Sequence, residues 1–316
     1  MLGEFATISV DDGLPAYVPR PAAVYQPPPP PRAVIGLRPA TAADRPRVEE
    51  ICSEVFRGRD RLPQRFDGWV EDDDASFLVA EVDGRLAAMH RLVPAGDGIV
   101  WYEGLRVAPE YRGRGLGRTM VGMGLSSGQR RGFAQMRLHA GPECGPFFES
   151  IGFSPVVQVA RWDAEPAPRG HLPTVLAAEH TDVALGWLQQ DDAFNRYPGM
   201  KPVFGRSAAG DRRNVNALAR EGTLRFSGDV PAFAAVRPAL VDEPLRVTFL
   251  AGTGESMYDL LKGIRHQAHI EGVERVRVVA PTDHACAAEL EAAGFAVRDD
   301  FRLTVYSRPL GSRPQN

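Results

Sequence analysis

Lysine is nearly absent. Of 37 basic side chains only Lys201 and Lys262 are lysines, and the scattered arginines face 40 acids, for a formal net charge of −3. That balance excludes a general affinity for nucleic acid or for anionic membranes. Cysteine is scarce too. Cys52, Cys144 and Cys286 are too few and too far apart for a disulfide framework or a zinc knuckle. A reducing, cytoplasmic setting without a metal is expected. No apolar run approaches the roughly 20 residues of a membrane span, and the N-terminus lacks the basic-then-apolar layout of a secretory signal. What is present is 316 residues that are 44% hydrophobic, enough for two domains of ordinary size.

Residues 1–36 read as a proline-rich extended arm, with Pro15, Pro19, Pro21 and the run Pro27 to Pro31 favouring polyproline II. From Leu37 the pattern is globular. A short strand at 37–40 precedes a helix over 44–56, N-capped by Asp44 with Pro46 in its first turn. A polar stretch, 57–74, is interrupted by Leu62, Phe66 and Trp69, and its acidic run Glu71 to Asp74 reads as a solvated turn. Strands follow at 77–82, 86–93 and 99–107, then a helix to about Arg131, a strand at 136–139, a short helix over 146–150 and a strand ending near Trp162. The segment 164–170 is a linker by composition. A second globular run occupies 171–308: helix 175–188, strands 223–227, 232–236 and 245–250, helix 256–270, strand 276–280, helix 285–293 and strand 301–306. Residues 309–316 form a tail.

The heptapeptide Tyr111-Arg112-Gly113-Arg114-Gly115-Leu116-Gly117 sits between the strand at 99–107 and the helix after it. A strand, a glycine-rich turn and a helix make a pyrophosphate cradle. Glycines let the backbone approach an anion, and the first free N–H groups of the helix point at it. The spacing, Arg-x-x-Gly-x-Gly, is neither the P-loop nor the dinucleotide fingerprint. The second half weakly repeats the first. An offset of 142 lays Cys144 on Cys286 and Gly152-Phe153 on Gly294-Phe295, with the same order of elements around them. The same offset sets the cradle against residues 254–259, where it is lost.

Arg-x-x-Gly-x-Gly after Leu105-Arg106-Val107-Ala108-Pro109, the segment Phe148-Glu149-Ser150-Ile151-Gly152-Phe153 and the opening Leu37-Arg38-Pro39-Ala40 resemble the GCN5-related N-acetyltransferases. The likeness is strong over 37–163 and faint over 222–308. A narrower likeness, carried by Asp60-Arg61-Leu62-Pro63, Arg65-Phe66, Trp69 and Glu103-Gly104-Leu105, is to the histidine N-acetyltransferase group. The resemblance implies an α/β (α+β) fold of two GNAT-like domains. Each would be a mixed, mostly antiparallel sheet flanked by helices, with the second domain degenerate. It also implies acetyl-CoA as co-substrate, held between two splayed parallel strands at 99–107 and 136–139. Backbone N–H groups of Arg112, Gly113, Arg114, Gly115, Leu116, Gly117 and Arg118 would bind the pyrophosphate. Leu105, Arg106 and Val107 would pair with the pantetheine arm. A bulge near Leu105 or Arg106 would aim an N–H at the thioester carbonyl.

Transfer requires an amine freed of its proton. Glu103, on the strand beside the thioester, is the candidate base; the alternative is a solvent-facing or ion-paired carboxylate. Strand alternation places Glu103 on a face with Trp101 and Leu105, and Tyr102 on the other. The family's tyrosine, which protonates the leaving thiolate, is replaced by Phe148, so a substitute such as Tyr102, Tyr111 or His139 serves, or none does. Cys144 and His90 read as packing residues. In the acceptor pocket, drawn from 57–69 and 94–98, Arg65 would hold a substrate carboxylate. Asp60 or Asp67 would steer the ammonium, and Phe66 and Trp69 would wall the site. The expected partner is a small-molecule amine, with the chain a monomer or homodimer. Acetylation of a protein lysine or N-terminus, and acetyl-CoA sensing without catalysis, remain as alternatives.

Overall fold

The computed structural model describes residues 6–9, 15–18, 35–55, 60–95, 98–191, 212–237, 239 and 243–311. Residues 1–34 and 35–316 are separate compact units. In the first, β1 (Ala6–Ser9) and β2 (Pro15–Val18) pair as an antiparallel hairpin, Thr7 opposite Tyr17. The expectation of a continuous extended arm is corrected over these eight residues, because ladder bonds replace the solvated backbone of polyproline II. The run Pro27 to Pro31 lies outside the described residues.

The second unit begins with β3 (Ile35–Pro39) and α1 (Arg45–Ser53). Asp44 starts α1 without capping it by its side chain. Its Oδ2 accepts instead from the Thr41 N–H at 2.8 Å, and Arg38 grips both carboxylate oxygens at 2.7 Å. Arg38 holds the Asp44 carboxyl below the usual range, against the opposing effect of burial. The polar stretch contains a helix, α2 (Leu62–Val70). Leu62 and Phe66 are buried one turn apart and Trp69 follows on the same side, the i, i+4, i+7 spacing of an amphipathic helix.

A meander of β4 (Ser76–Val82), β5 (Arg85–Pro94) and β6 (Ile99–Val107) leads to α3 (Leu116–Arg130), β7 (Gln135–Ala140), α4 (Gly145–Glu149) and β8 (Ser154–Ala164). The chain continues through β9 (Thr174–Val175), α5 (Thr181–Leu188), α6 (Arg212–Arg220), β10 (Leu224–Ser227), β11 (Ala232–Arg237) and β12 (Leu245–Ala251). It closes with α7 (Gly254–Ile270), β13 (Val276–Pro281), α8 (Ala287–Ala292) and β14 (Ala296–Pro309). The α6 helix was not visible as a helix in the sequence, and the helix expected over 175–188 is confined to α5.

Among the described residues twelve strands form one continuous sheet in the order β3-β4-β5-β6-β7-β14-β8-β13-β12-β11-β10-β9. Two neighbour pairs, β6·β7 and β12·β13, are parallel and the rest antiparallel. The two halves exchange their last strands. The C-terminal part of β14 pairs with β7, Thr304 opposite Ala140, while β8 pairs with β13, Ala164 opposite Val276. The segment after β8 is docked rather than loose. Ala167 N–H donates to the Arg265 carbonyl at 3.0 Å, and a Cβ on Gly263 would sit 2.2 Å from the His171 carbonyl oxygen.

Helices α3 and α4 cover one face of the sheet in the first half, and α1 and α2 the other. Along α3, Leu116, Met120, Val121, Gly124 and Gly128 make the buried stripe. A Cβ at Gly124 would stand 2.9 Å from the Tyr102 ring, so the missing side chain sets how closely helix and sheet approach.

Candidate active site

The parallel ladder between β6 and β7 covers three pairs: Ile99–Gln135, Val100–Met136 and Trp101–Arg137. Beyond Trp101 the strands run on without pairing. On the other edge of β6 the register with β5 slips. Arg91 faces Glu103 and Met89 faces Arg106, so His90 alone opposes Gly104 and Leu105. This is a β-bulge with Gly104 at φ 71°, the left-handed conformation that such a bulge assigns to glycine.

The bulge corrects the strict alternation expected for β6. Leu105 packs with Tyr102, Leu116 and Met120 on the α3 face, while Glu103 stays on the opposite face beside Arg91. The extra residue turns every side chain after it by one step.

After Val107 a short 3-10 turn, Pro109–Tyr111, feeds the glycine loop. Gly115 has φ 81° and stands at the N-cap of α3, where no side chain caps the helix. A Cβ on Gly113 or Gly115 would meet nothing within 4 Å. An uncapped helix end with open space before it offers free N–H groups, and the helix dipole favours an anion there. Among the described side chains, Arg112 donates its Nε–H back to the Val107 carbonyl at 3.0 Å, and Arg118 reaches Ser150, just after α4, at 2.9 Å. These guanidinium groups brace the cradle; the backbone forms it.

Glu103 belongs to an ion triad. Its Oε1 accepts from Arg91 Nη1 at 2.7 Å, and Arg91 Nη2 bonds Asp72. Arg91 and Asp72 are each 3% exposed and Glu103 is 21% exposed, so of the three Glu103 alone reaches solvent appreciably. Asp72 thereby departs from the solvated turn expected for the acidic run. The missed signal was Arg91, a charge inside the apolar strand Leu86 to Val93. The Arg91 guanidinium also lies over the Trp69 ring at 4.8 Å, and Trp69 in turn lies over Gly104.

Tyr102 points the other way, into the core under α3. It is 2% exposed, its hydroxyl is 3.3 Å from His90 Nδ1, and burial pushes its pKa well up. His90 is fully buried and burial lowers it to about 4, opposed by the Met120 backbone. Phe148 packs in the same core against Phe147 and Phe153. His139 stacks edge-on against Trp101 at 4.6 Å. Cys144, at the start of α4, is exposed rather than packed in the core as expected.

Both carboxylate oxygens of Asp60 are engaged by Arg106, at 2.6 and 3.0 Å, and Oδ1 also accepts the Leu62 N–H. Burial alone would raise the Asp60 pKa; Arg106 outweighs it and holds it low. Asp67 pairs with Arg45. Phe66 is 0% exposed, edge-on to Phe77 at 5.7 Å, and so is a core residue rather than the pocket wall expected for it. Arg65 lies within electrostatic range of Arg246 on β12.

The arrangement recurs in the second half. The β12·β13 ladder also covers three pairs, from Leu245–Val276 to Val247–Val278, and β12 carries an extra residue, Thr248, against β11. The helix end differs. Gly252 N–H donates to Asp191 Oδ2 and Gly254 N–H to Glu289 Oε1, both at 2.6 Å. The chain's own carboxylates stand where the first half leaves N–H groups open.

Among the described residues no group of His, Cys, Asp and Glu is placed to hold a metal ion, and no helix is long and apolar enough to cross a membrane.

A splayed parallel pair, a bulge beside it and an uncapped glycine-led helix define an acetyltransferase fold of the GNAT class. Residues 45–153 match the model of the acetyltransferase (GNAT) family. Solved structures agree over nearly the whole length. The GCN5-related N-acetyltransferase from Sphaerobacter thermophilus covers 89% of this chain and 96% of its own at 15% identity and TM-score 0.61. A tandem GNAT protein from the clavulanic acid biosynthesis pathway covers 90% and 100% at 16% identity and TM-score 0.55. Among curated proteins, the chain is 30% identical over 83 residues to a histidine N-acetyltransferase of Oreochromis niloticus, 26% of this chain and 25% of that one. It is 38% identical over 72 residues to that of Xenopus tropicalis, 22% of each. The match thus spans about a quarter of the length of these relatives.

Proposed function

We propose that the chain is an acetyl-CoA-dependent N-acetyltransferase acting on a small-molecule amine, with an amino acid as the leading acceptor. The reading is carried by the open helix end of α3 lying directly beyond the unpaired part of β6. Backbone N–H groups of 112–118 bind the pyrophosphate, and the free edge of Leu105, Arg106 and Val107 pairs with the pantetheine arm. An N–H at the bulge polarises the thioester carbonyl. Trp69 closes the site over Gly104 and excludes water.

Glu103, oriented by Arg91, takes the proton that the attacking amine gives up. The new C–N bond forms as the C–S bond breaks, and sulfur leaves with the electron pair. Phe148 has no proton to give, so CoA departs as thiolate, a fair leaving group near its own pKa. Arg65 faces the acceptor's carboxylate. We assign the second half, with its helix end filled by Asp191 and Glu289, as a degenerate copy that shapes the site without binding CoA. The relatives named histidine N-acetyltransferase make histidine the first acceptor to assay.

Phe148 and the ion-paired Glu103 favour one rival reading, an acetyl-CoA sensor. CoA release measured across a panel of free amines, amino acids and peptides separates them. Turnover with a small amine supports the proposal. Saturable acetyl-CoA binding without turnover on any acceptor, or turnover on peptides alone, overturns it.

A further inference from the structure

Two aspartates, each with its side chain 3% exposed, bracket α2, and each binds an arginine beside the β6 bulge. Asp72, after the helix, bonds Arg91 on β5, and Arg91 bonds Glu103. Asp60, before the helix, accepts from Arg106 on β6, at 2.6 Å from Nε and 3.0 Å from Nη2. Glu103 and Arg106 stand on either side of Gly104 and Leu105, the residues of the bulge. Helix α2 lies over the same place: a Cβ on Gly104 would be 2.7 Å from the Trp69 ring and 3.7 Å from Leu62 Cδ1.

Arg106 does more than neutralise Asp60. Its Nη1 donates to the Leu105 carbonyl at 2.9 Å, so one planar, rigid guanidinium joins a carboxylate to the backbone of the bulge. The carboxylate is itself fixed. Its Oδ1 also accepts the Leu62 N–H at 3.0 Å, and the buried thiol of Cys52 on α1 bonds it as well. A peptide group moves as one plane. Fixing the Leu105 carbonyl therefore fixes the whole peptide between Leu105 and Arg106, the first after the bulge, where β6 has already left β7.

We propose that Asp60 is a positioning residue for the donor: acting through Arg106, it holds the peptide after the bulge in the orientation that seats the pantetheine arm and its thioester. The inference rests on the acetyl-CoA reading of the site. It gives Asp60 a different part from steering an acceptor's ammonium, since Arg106, Leu62 and Cys52 already enclose the carboxylate.

The test separates the pantetheine arm from the nucleotide. Calorimetry titrates two ligands, acetyl-CoA and the fragment of CoA that ends at the pyrophosphate, into wild type, Asp60→Asn, Arg106→Lys and the double variant. Asparagine keeps an acceptor for the Leu62 N–H but loses the charge that holds the guanidinium. Lysine keeps a cation beside Asp60 but loses the fork that reaches Leu105. Melting curves check folding, and Arg106→Lys carries the test if Asp60→Asn does not fold. Each variant is expected to bind acetyl-CoA about tenfold more weakly and the fragment as wild type does. The double variant should be no worse than the weaker single one, because both act on the same carbonyl. With an acceptor that turns over, kcat should fall at least about tenfold at unchanged acceptor KM. Equal losses for both ligands would make Asp60 a residue of the fold alone, and unchanged acetyl-CoA binding would leave it no part in seating the donor. Either result overturns the inference and leaves the acetyltransferase reading standing. A wild type that binds neither ligand overturns both. Absence of turnover on every acceptor removes only the enzymatic reading, and the two affinities then decide the inference.

Discussion

The indole of Trp69 lies so close over Gly104 that a Cβ on the glycine would be 2.7 Å from Cζ3 and 3.0 Å from Cη2. Two constraints meet at that residue: the left-handed φ of the bulge and the flat ring above it. Gly104→Ala is expected to cost about 1–3 kcal/mol of stability and, with the proposed oxyanion donor at this bulge, to lower kcat/KM more than acetyl-CoA affinity. In a Trp69→Ala background the clash is gone and the φ strain stays, so, relative to Trp69→Ala alone, the melting temperature lost to Gly104→Ala should recover only in part. Full recovery would mean that the ring, and not the backbone, makes glycine necessary.

Gly115→Glu is expected to abolish acetyl-CoA binding. The helix end before α3 is open, so the new side chain brings bulk and negative charge to the pyrophosphate position. Calorimetric titration with a melting curve on the same sample checks this. Unchanged affinity in a folded protein would remove the cradle from this loop.

Glu103→Gln is expected to lower kcat by about 10²–10⁴-fold and to leave the acetyl-CoA Kd within a few fold. Arg91→Met instead leaves Asp72 and Glu103 without their shared cation, with a loss of stability of roughly 3–5 kcal/mol read by urea denaturation. A Glu103→Gln enzyme as active as wild type across the pH range would assign Glu103 to the ion triad alone.

His90 gives a pH signature. Its folded pKa is about 4, set chiefly by burial, against an ordinary value near 6.5. Because the folded pKa is depressed, the contribution is fully present above pH 6.5 and is lost as pH falls toward 4. The loss amounts to about 3 kcal/mol. Wild type should lose that much more than His90→Gln over this window, measured by urea denaturation at each pH. Parallel losses in the two proteins would show that His90 takes up its proton without unfolding the site.

One CoA per chain is expected, since Asp191 and Glu289 already accept from the N–H groups of Gly252 and Gly254. Glu289→Gln should cost about 1 kcal/mol or less and create no second site. Two CoA molecules in a titration of wild type would contradict the degenerate reading.

Much of the site was legible because it depends on local backbone chemistry. Glycines spaced around Arg114, after an apolar strand and before a helix, can do little else than turn tightly and open a helix end. The α2 helix was half legible: Leu62, Phe66 and Trp69 have helical spacing, but the charges around them masked it. Glu103 was singled out without its partners, since Asp72 and Arg91 lie 31 and 12 residues before it and meet it only across the meander. The Arg61–Glu243 contact, 182 residues apart in sequence, had no local signal at all.

The sequence by itself determined the glycine-led turn between β6 and α3, most of the strands and helices of the first half, and the absence of that glycine pattern in the second half, since each follows from spacing within a few residues. The tertiary structure alone decided how the halves are joined. Register between distant strands depends on hydrogen bonds and burial that no short window contains. Those bonds place β14 between β7 and β8, carrying the C-terminal strand into the sheet of the first half. The same long-range pairing brings Glu243 against Arg61, just before α2.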